Sequence, residues 1–176
     1  HILAKWLLNV ADMTLDRYPD DVPDRYRIPP ERFSSEADFP RFVNVAARMG
    51  LDTFTESGSV ILEDFDNDHD IDVVSTGWEP THSQVRIFWN NGDGTFSEGT
   101  SEAGLDGLLG GLNMIQADYD NDGHVDFLVL RGAWLADVGK HPNSLIRNNG
   151  DGTFTDVTVE SGFLDYPHSP TQAAAW

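Results

Sequence analysis

A chain of 176 residues is long enough for one domain with a real core, and the absence of cysteine excludes disulfides, zinc fingers and thiol catalysis. A formal net charge of −19 argues against nucleic acid and anionic membrane partners, both of which need basic patches. With 39% hydrophobic and 11% aromatic residues the acidity does not imply disorder, and no run reaches the roughly 18–20 apolar residues of a membrane helix.

The chain opens at His1 with no visible signal peptide, and it reads as a piece of something longer, so a missing signal says nothing about secretion. Residues 2–15 predict a helix, because Leu3, Trp6, Leu7, Val10 and Met13 recur at three- and four-residue spacing and form one stripe for a neighbour. Pro19, Pro23, Pro29 and Pro30 then fall among alternating charges. The expected organisation is an N-terminal helix over 1–18, a stiff Pro-rich charged linker over 19–38, and a repeat region over 39–176.

From Phe42 onward the sequence copies itself. The stretch Phe42 to Leu51 matches Phe96 to Leu105, and both match Phe154 to Phe163. The turn Asn90-Asn91-Gly92-Asp93-Gly94-Thr95-Phe96 returns as Asn148-Asn149-Gly150-Asp151-Gly152-Thr153-Phe154. The unit is about 55 residues, with two full copies and a fraction at each end. Each copy predicts four short strands: 60–62, 71–75, 85–89 and 95–97 in the first, then 114–116, 127–130, 144–147 and 153–155 in the second. Asn-Gly and Asp-Gly between β-rich runs are hairpin signals because they tolerate positive φ, and a turn role is expected for the carboxylates there. A four-stranded antiparallel meander repeated in tandem is a β-propeller blade, so the expected fold is all-β. Two blades do not close a ring, which makes it an incomplete propeller, part of a longer chain or completed by an assembly.

Between the first two strands of each copy lies an acidic loop. The first is Asp64-Phe65-Asp66-Asn67-Asp68-His69-Asp70-Ile71-Asp72, and the second is Asp118-Tyr119-Asp120-Asn121-Asp122-Gly123-His124-Val125-Asp126. Carboxylates recur at positions 1, 3, 5 and 9. Nothing apolar is gained by crowding such charge into one turn, and a hard cation taking six to eight oxygens at about 2.3–2.6 Å is the usual remedy. The pattern predicts two Ca2+ sites. An EF-hand would place glutamate at position 12 between helices, but Ser75 and Val129 stand there, in apolar β-branched runs. His69 occupies position 6 of the first loop, where positive φ is expected and the second loop has Gly123, so strain and a weaker site are expected there, partly offset by Asp70.

These loops and turns together resemble the FG-GAP or VCBS repeat of integrin-α-type β-propellers. The run from Asn148 through Thr158 is similar, more narrowly, to relatives of the cartilage acidic protein (ASPIC/UnbV) type. The resemblance implies that position 7, Asp70 and His124, ligates through its backbone carbonyl. The expected metal residues are then Asp64, Asp66, Asp68, Asp70 and Asp72 in one site and Asp118, Asp120, Asp122, His124 and Asp126 in the other.

Function is expected to be that of an extracellular or cell-surface module, or a periplasmic one, for recognition, adhesion or assembly with an unknown protein or glycan. Loops with dissociation constants of about 10⁻⁴–10⁻³ M fill only where calcium is millimolar. Trp78 and Trp134 either contact such a ligand or pack between blades. No His-Glu-x-x-His, Gly-x-Ser-x-Gly or phosphate loop occurs, so catalysis by this segment is not expected, and His82, His124, His141 and His168 read as solvent-facing. Two alternatives stay open: the calcium-stabilised propeller part of a polysaccharide-acting enzyme, and a subunit that polymerises through its unpaired strand edges.

Overall fold

The computed structural model describes residues 2–34, 37, 42–53, 58–77, 83–132, 139–165, 168 and 170–175. Trp78, His82 and Trp134 lie outside the described residues. The chain divides into two compact units, His1–Val43 and Asn44–Trp176.

In the first unit, helix α1 spans Ile2–Thr14. Its apolar stripe is not its buried face, because Leu3, Trp6 and Leu7 stay exposed. The buried point is Asn9, at 0% exposure. Its amide donates to Lys5 O at 2.7 Å and to Tyr26 O at 2.8 Å, and its Oδ1 accepts the Ile28 N–H at 2.9 Å. The Tyr18 hydroxyl donates to Ile28 O at 2.6 Å, and the Phe33 ring packs 5.1 Å from Trp6 and 5.6 Å from Tyr18. The stretch read as a stiff linker is therefore folded back on the helix. A buried asparagine offers both donor and acceptor, and it satisfies backbone groups that a proline-rich segment leaves without ladder partners.

The second unit is mostly β, and the eight strands among its described residues follow the expected repeats. They are β1 (Val60–Glu63), β2 (Asp72–Ser75), β3 (Arg86–Asn90), β4 (Phe96–Glu98), β5 (Asn113–Ala117), β6 (Asp126–Leu130), β7 (Ser144–Asn148) and β8 (Phe154–Asp156). They form two four-stranded antiparallel meanders, in the orders β1-β2-β3-β4 and β5-β6-β7-β8. Register is matched: Glu63 pairs Asp72 in the first sheet and Ala117 pairs Asp126 in the second. Each acidic loop thus closes the hairpin between the first two strands of its blade.

The core lies mainly between the blades. Ile61, Phe65, Val74 and Ile87 of the first meet Met114, Phe127, Val129, Ile146 and Phe154 of the second. Phe65 stands edge-on to Phe127 and Phe154, with ring centroids 6.2 and 5.9 Å away. A smaller cluster of Leu128, Leu130, Leu145 and Val157 occupies the opposite face of the second blade. Strand β6 is consequently buried along its whole length, which is why its sequence runs apolar instead of alternating.

The tight turn that follows β4 and β8 also occurs ahead of β1, which makes three copies. Leu51, Leu105 and Phe163 donate N–H bonds to Ala46, Thr100 and Thr158 O, at 2.9, 3.0 and 3.3 Å. Gly50, Gly104 and Gly162 hold φ of 82°, 75° and 77°. In the first copy the turn includes the short helix α2 (Ala46–Met49), and Gly50 caps it in the left-handed conformation. The middle turn docks on the second blade through Phe154 N–H to Ala103 O at 2.9 Å.

Candidate metal centre

The two acidic loops fold alike because the same short-range bonds recur. In the first loop Asp64 accepts the N–H groups of Asp68 at 3.1 Å and His69 at 3.0 Å. In the second Asp118 accepts those of Asp122 and Gly123, both at 3.0 Å. Position 4 is left-handed in both, with φ of 62° at Asn67 and 61° at Asn121. Asparagine tolerates that conformation better than most residues.

Three carboxylates converge in each loop. Ligand oxygens of Asp64, Asp66 and Asp72 lie within 4.8 Å of one another, and so do those of Asp118, Asp120 and Asp126. The position 9 members are buried, Asp72 at 1% and Asp126 at 0% exposure. Asp72 accepts the N–H of Phe65 at 3.1 Å and of Asn90 at 2.8 Å. Asp126 accepts those of Tyr119 at 3.0 Å and Asn148 at 2.8 Å. Three oxygen donors around one point, one of them buried, fit a hard cation: the donors are all oxygen, and like charges this close repel.

Asp68 and Asp122 brace their own loops, each accepting the N–H of the position 7 residue, at 2.8 and 2.9 Å. Neither belongs to the convergent trio. Asp70 points elsewhere: a Cβ added at Gly92 would fall 3.0 Å from its Oδ2, so the carboxylate leans over the neighbouring turn. His124 does the same over Gly150, where an added Cβ would fall 2.3 Å from Nε2. Its Nδ1 also lies 3.0 Å from the Asn67 amide nitrogen of the other loop. The solvent-facing side chain expected for His124 is half-exposed: its ring lies over Gly150, where the absence of a Cβ leaves room for it.

The expected strain at position 6 is present, since His69 holds φ of 76° while Gly123 holds 91°. A non-glycine left-handed residue costs about 1–2 kcal/mol, and glycine in its place returns part of that as unfolded-chain entropy. His69→Gly is expected to stabilise the unit by roughly 0.5–1 kcal/mol in chemical denaturation and to tighten calcium at the first loop. An unchanged midpoint would show that the loop holds histidine without strain.

Burial, opposed by the two N–H bonds and aided by the Asp66 and Asp68 charges, pushes the Asp72 carboxyl up to about 6, and it raises Asp126 as well. A folded-state value above the unfolded one means that the metal-free fold binds the extra proton. Its stability from this group is therefore lost as pH rises from about 4 through about 6. Calcium needs the anion and displaces that proton. Calcium affinity at the first loop is expected to fall about tenfold between pH 7.5 and pH 5, read by calorimetric titration. A flat profile would mean that Asp72 is no ligand.

Sequence reasoning left out the residues that hold the buried carboxylates. Asn90 and Asn148, the first residues of the Asn-Asn-Gly-Asp-Gly turns, fix Asp72 and Asp126 through their N–H groups. Their Oδ1 atoms also accept the Gly92 and Gly150 N–H, each at 3.0 Å. The signal was present in the fixed order of acidic loop and asparagine turn. The turn carboxylates keep to turn work: Asp93 and Asp151 each accept bonds from the backbone and hydroxyl of Thr95 and Thr153, which hold them below the usual carboxylate range.

Residues 64–129 match the model of the FG-GAP-like repeat family. A stretch of 126 residues, 70% of this chain, is 29% identical to cartilage acidic protein 1 of Xenopus tropicalis. The match covers 18% of that relative, so the chain spans under a fifth of its length.

Proposed function

Because the chain carries FG-GAP-like repeats, we propose that it is a calcium-stapled recognition module of the extracellular space or cell surface. The observation that carries this reading is the pair of oxygen trios at matching loop positions, each closing the first hairpin of a blade around a buried aspartate. Calcium compensates charge that would otherwise force the hairpin open. Asp64, Asp66 and Asp72 would hold one ion and Asp118, Asp120 and Asp126 the other, with the backbone of Asp70 and His124 in the role that the family resemblance implies.

Sites made from exposed loops with few preformed donors belong to the weak class, filled at about 10⁻⁴–10⁻³ M. Such calcium levels are those of the extracellular space, and the relative's name, which points to cartilage, supports the same placement. No described helix is long and apolar enough to cross a membrane. The module is read as non-catalytic: its convergent acids are assigned to metal, and its partner is a protein or glycan met by the blade surfaces. Equilibrium dialysis against calcium tests the premise, with two ions per chain expected in the submillimolar to millimolar range. Fewer than one ion per chain at 5 mM free calcium, about five times the weak limit of that class, would overturn it.

A further inference from the structure

We propose that Asn148 couples the two metal loops, so that filling one raises the calcium affinity of the other. The inference rests on the calcium reading above. Asp126, the buried carboxylate of the second site, accepts the Asn148 N–H at 2.8 Å. The Asn148 side-chain amide then crosses the blade interface and donates to Phe65 O at 2.7 Å. Phe65 in turn donates its own N–H to Asp72 Oδ2 at 3.1 Å, inside the first site. Three hydrogen bonds therefore join the two closing carboxylates through two residues, each 0% exposed.

Burial is what makes this run a mechanical link. Water cannot replace a bond lost inside it, so the groups stay paired and shift together. Phe65 is held as a unit because its ring is wedged between Phe127 and Phe154. An ion that fixes Asp126 fixes the Asn148 backbone, and with it the amide that positions Phe65 against Asp72. Linkage makes the effect reciprocal, so the first ion aids the second by the same factor.

The repeat supplies its own control. Asn90 makes the matching bond to Asp72 at 2.8 Å and reaches Ile71 O at 3.0 Å, within its own blade. Asn148 makes the matching bond to Val125 O at 3.3 Å and adds the crossing one. A second bridge exists between the loops, from the Asn67 amide to His124 Nδ1 at 3.0 Å, but it is solvent-exposed, where water competes for both groups.

Calorimetric calcium titrations of the full chain separate these routes. The double substitution Asp118→Ala/Asp120→Ala silences the second site while leaving Asp126 and Asn148 in place. In the parent chain this loss is expected to weaken the first site about five- to tenfold, a usual size for coupling between sites. In an Asn148→Ala background the same loss is expected to change the first site less than about twofold, whereas Asn90→Ala keeps the full effect. Asn148→Ser serves the same comparison if the alanine variant does not fold. A first site indifferent to the second in the parent chain overturns the proposal, and so does coupling that survives Asn148 substitution or vanishes with Asn67→Ala alone. Absence of any calcium binding in the parent chain overturns the metal reading as well, which two independent sites would leave standing.

Discussion

The protein is expected to melt about 10–15 °C higher in millimolar calcium than in chelator, an estimate that combines mass action at two sites with the temperature scaling of domain unfolding. Calcium at about 2 mM stands about twenty times above a dissociation constant of about 10⁻⁴ M, the tighter end of the weak class, and then stabilises the folded state by roughly 1.8 kcal/mol per site. Two sites give about 3.6 kcal/mol, and a domain of this size gains about 3–4 °C per kcal/mol. The physical source is local. Each trio of carboxylates sits within 4.8 Å, and its buried member cannot be screened by water. Differential scanning fluorimetry in calcium and then in excess chelator reads the shift directly. Equal melting temperatures would end the calcium reading, and a rise with magnesium of the same size would remove its selectivity.

Asp126→Ala is expected to destabilise the second unit by about 3–5 kcal/mol even in chelator, because the aspartate has a structural task apart from any ion. Its carboxylate accepts the N–H groups of Tyr119 and Asn148, and it is wholly buried. Alanine leaves both donors without an acceptor in a water-free site, at about 1–3 kcal/mol each. Asp120→Ala is the contrast. Asp120 is exposed and converges on the same point, so its loss is expected to abolish the calcium response of the second loop while leaving stability in chelator within about 0.5 kcal/mol. Urea denaturation of the two variants in chelator distinguishes the roles. If both variants lose stability equally there, the buried carboxylate does nothing beyond what its exposed partner does.

Much of the blade was legible in the chain itself. The strands fell where the apolar runs and Asn-Gly-Asp-Gly turns place them, shifted by a residue or two at most, and the acidic loops joined the first two strands of each copy as their spacing requires. These features depend on bonds between residues two to five apart, such as Asp64 with Asp68 and His69, or Asp93 with Thr95. Short-range turn chemistry is carried by contiguous residues, and so is the left-handed bend at position 6, where His69 takes the φ of a glycine.

Other properties needed the folded chain. The apolar stripe of the first helix gave no sign that its buried anchor is Asn9, because the partners of Asn9 are backbone groups of Tyr26 and Ile28. Asp70 and Asp72 look equivalent in sequence, yet one leans over Gly92 and the other is sealed between Phe65 and Asn90. The turn asparagines read as loop formers until the sheets bring them onto carboxylates 18 and 22 residues away, and Asn148 onto a carbonyl 83 residues away. The sequence by itself thus determined the repeat, the hairpins and the positions of the acidic loops, since each is set by local backbone preference. Only the tertiary structure decided which carboxylates are buried, what holds them, and how one loop touches the other, since burial and long-range hydrogen bonds exist only after the blades have packed.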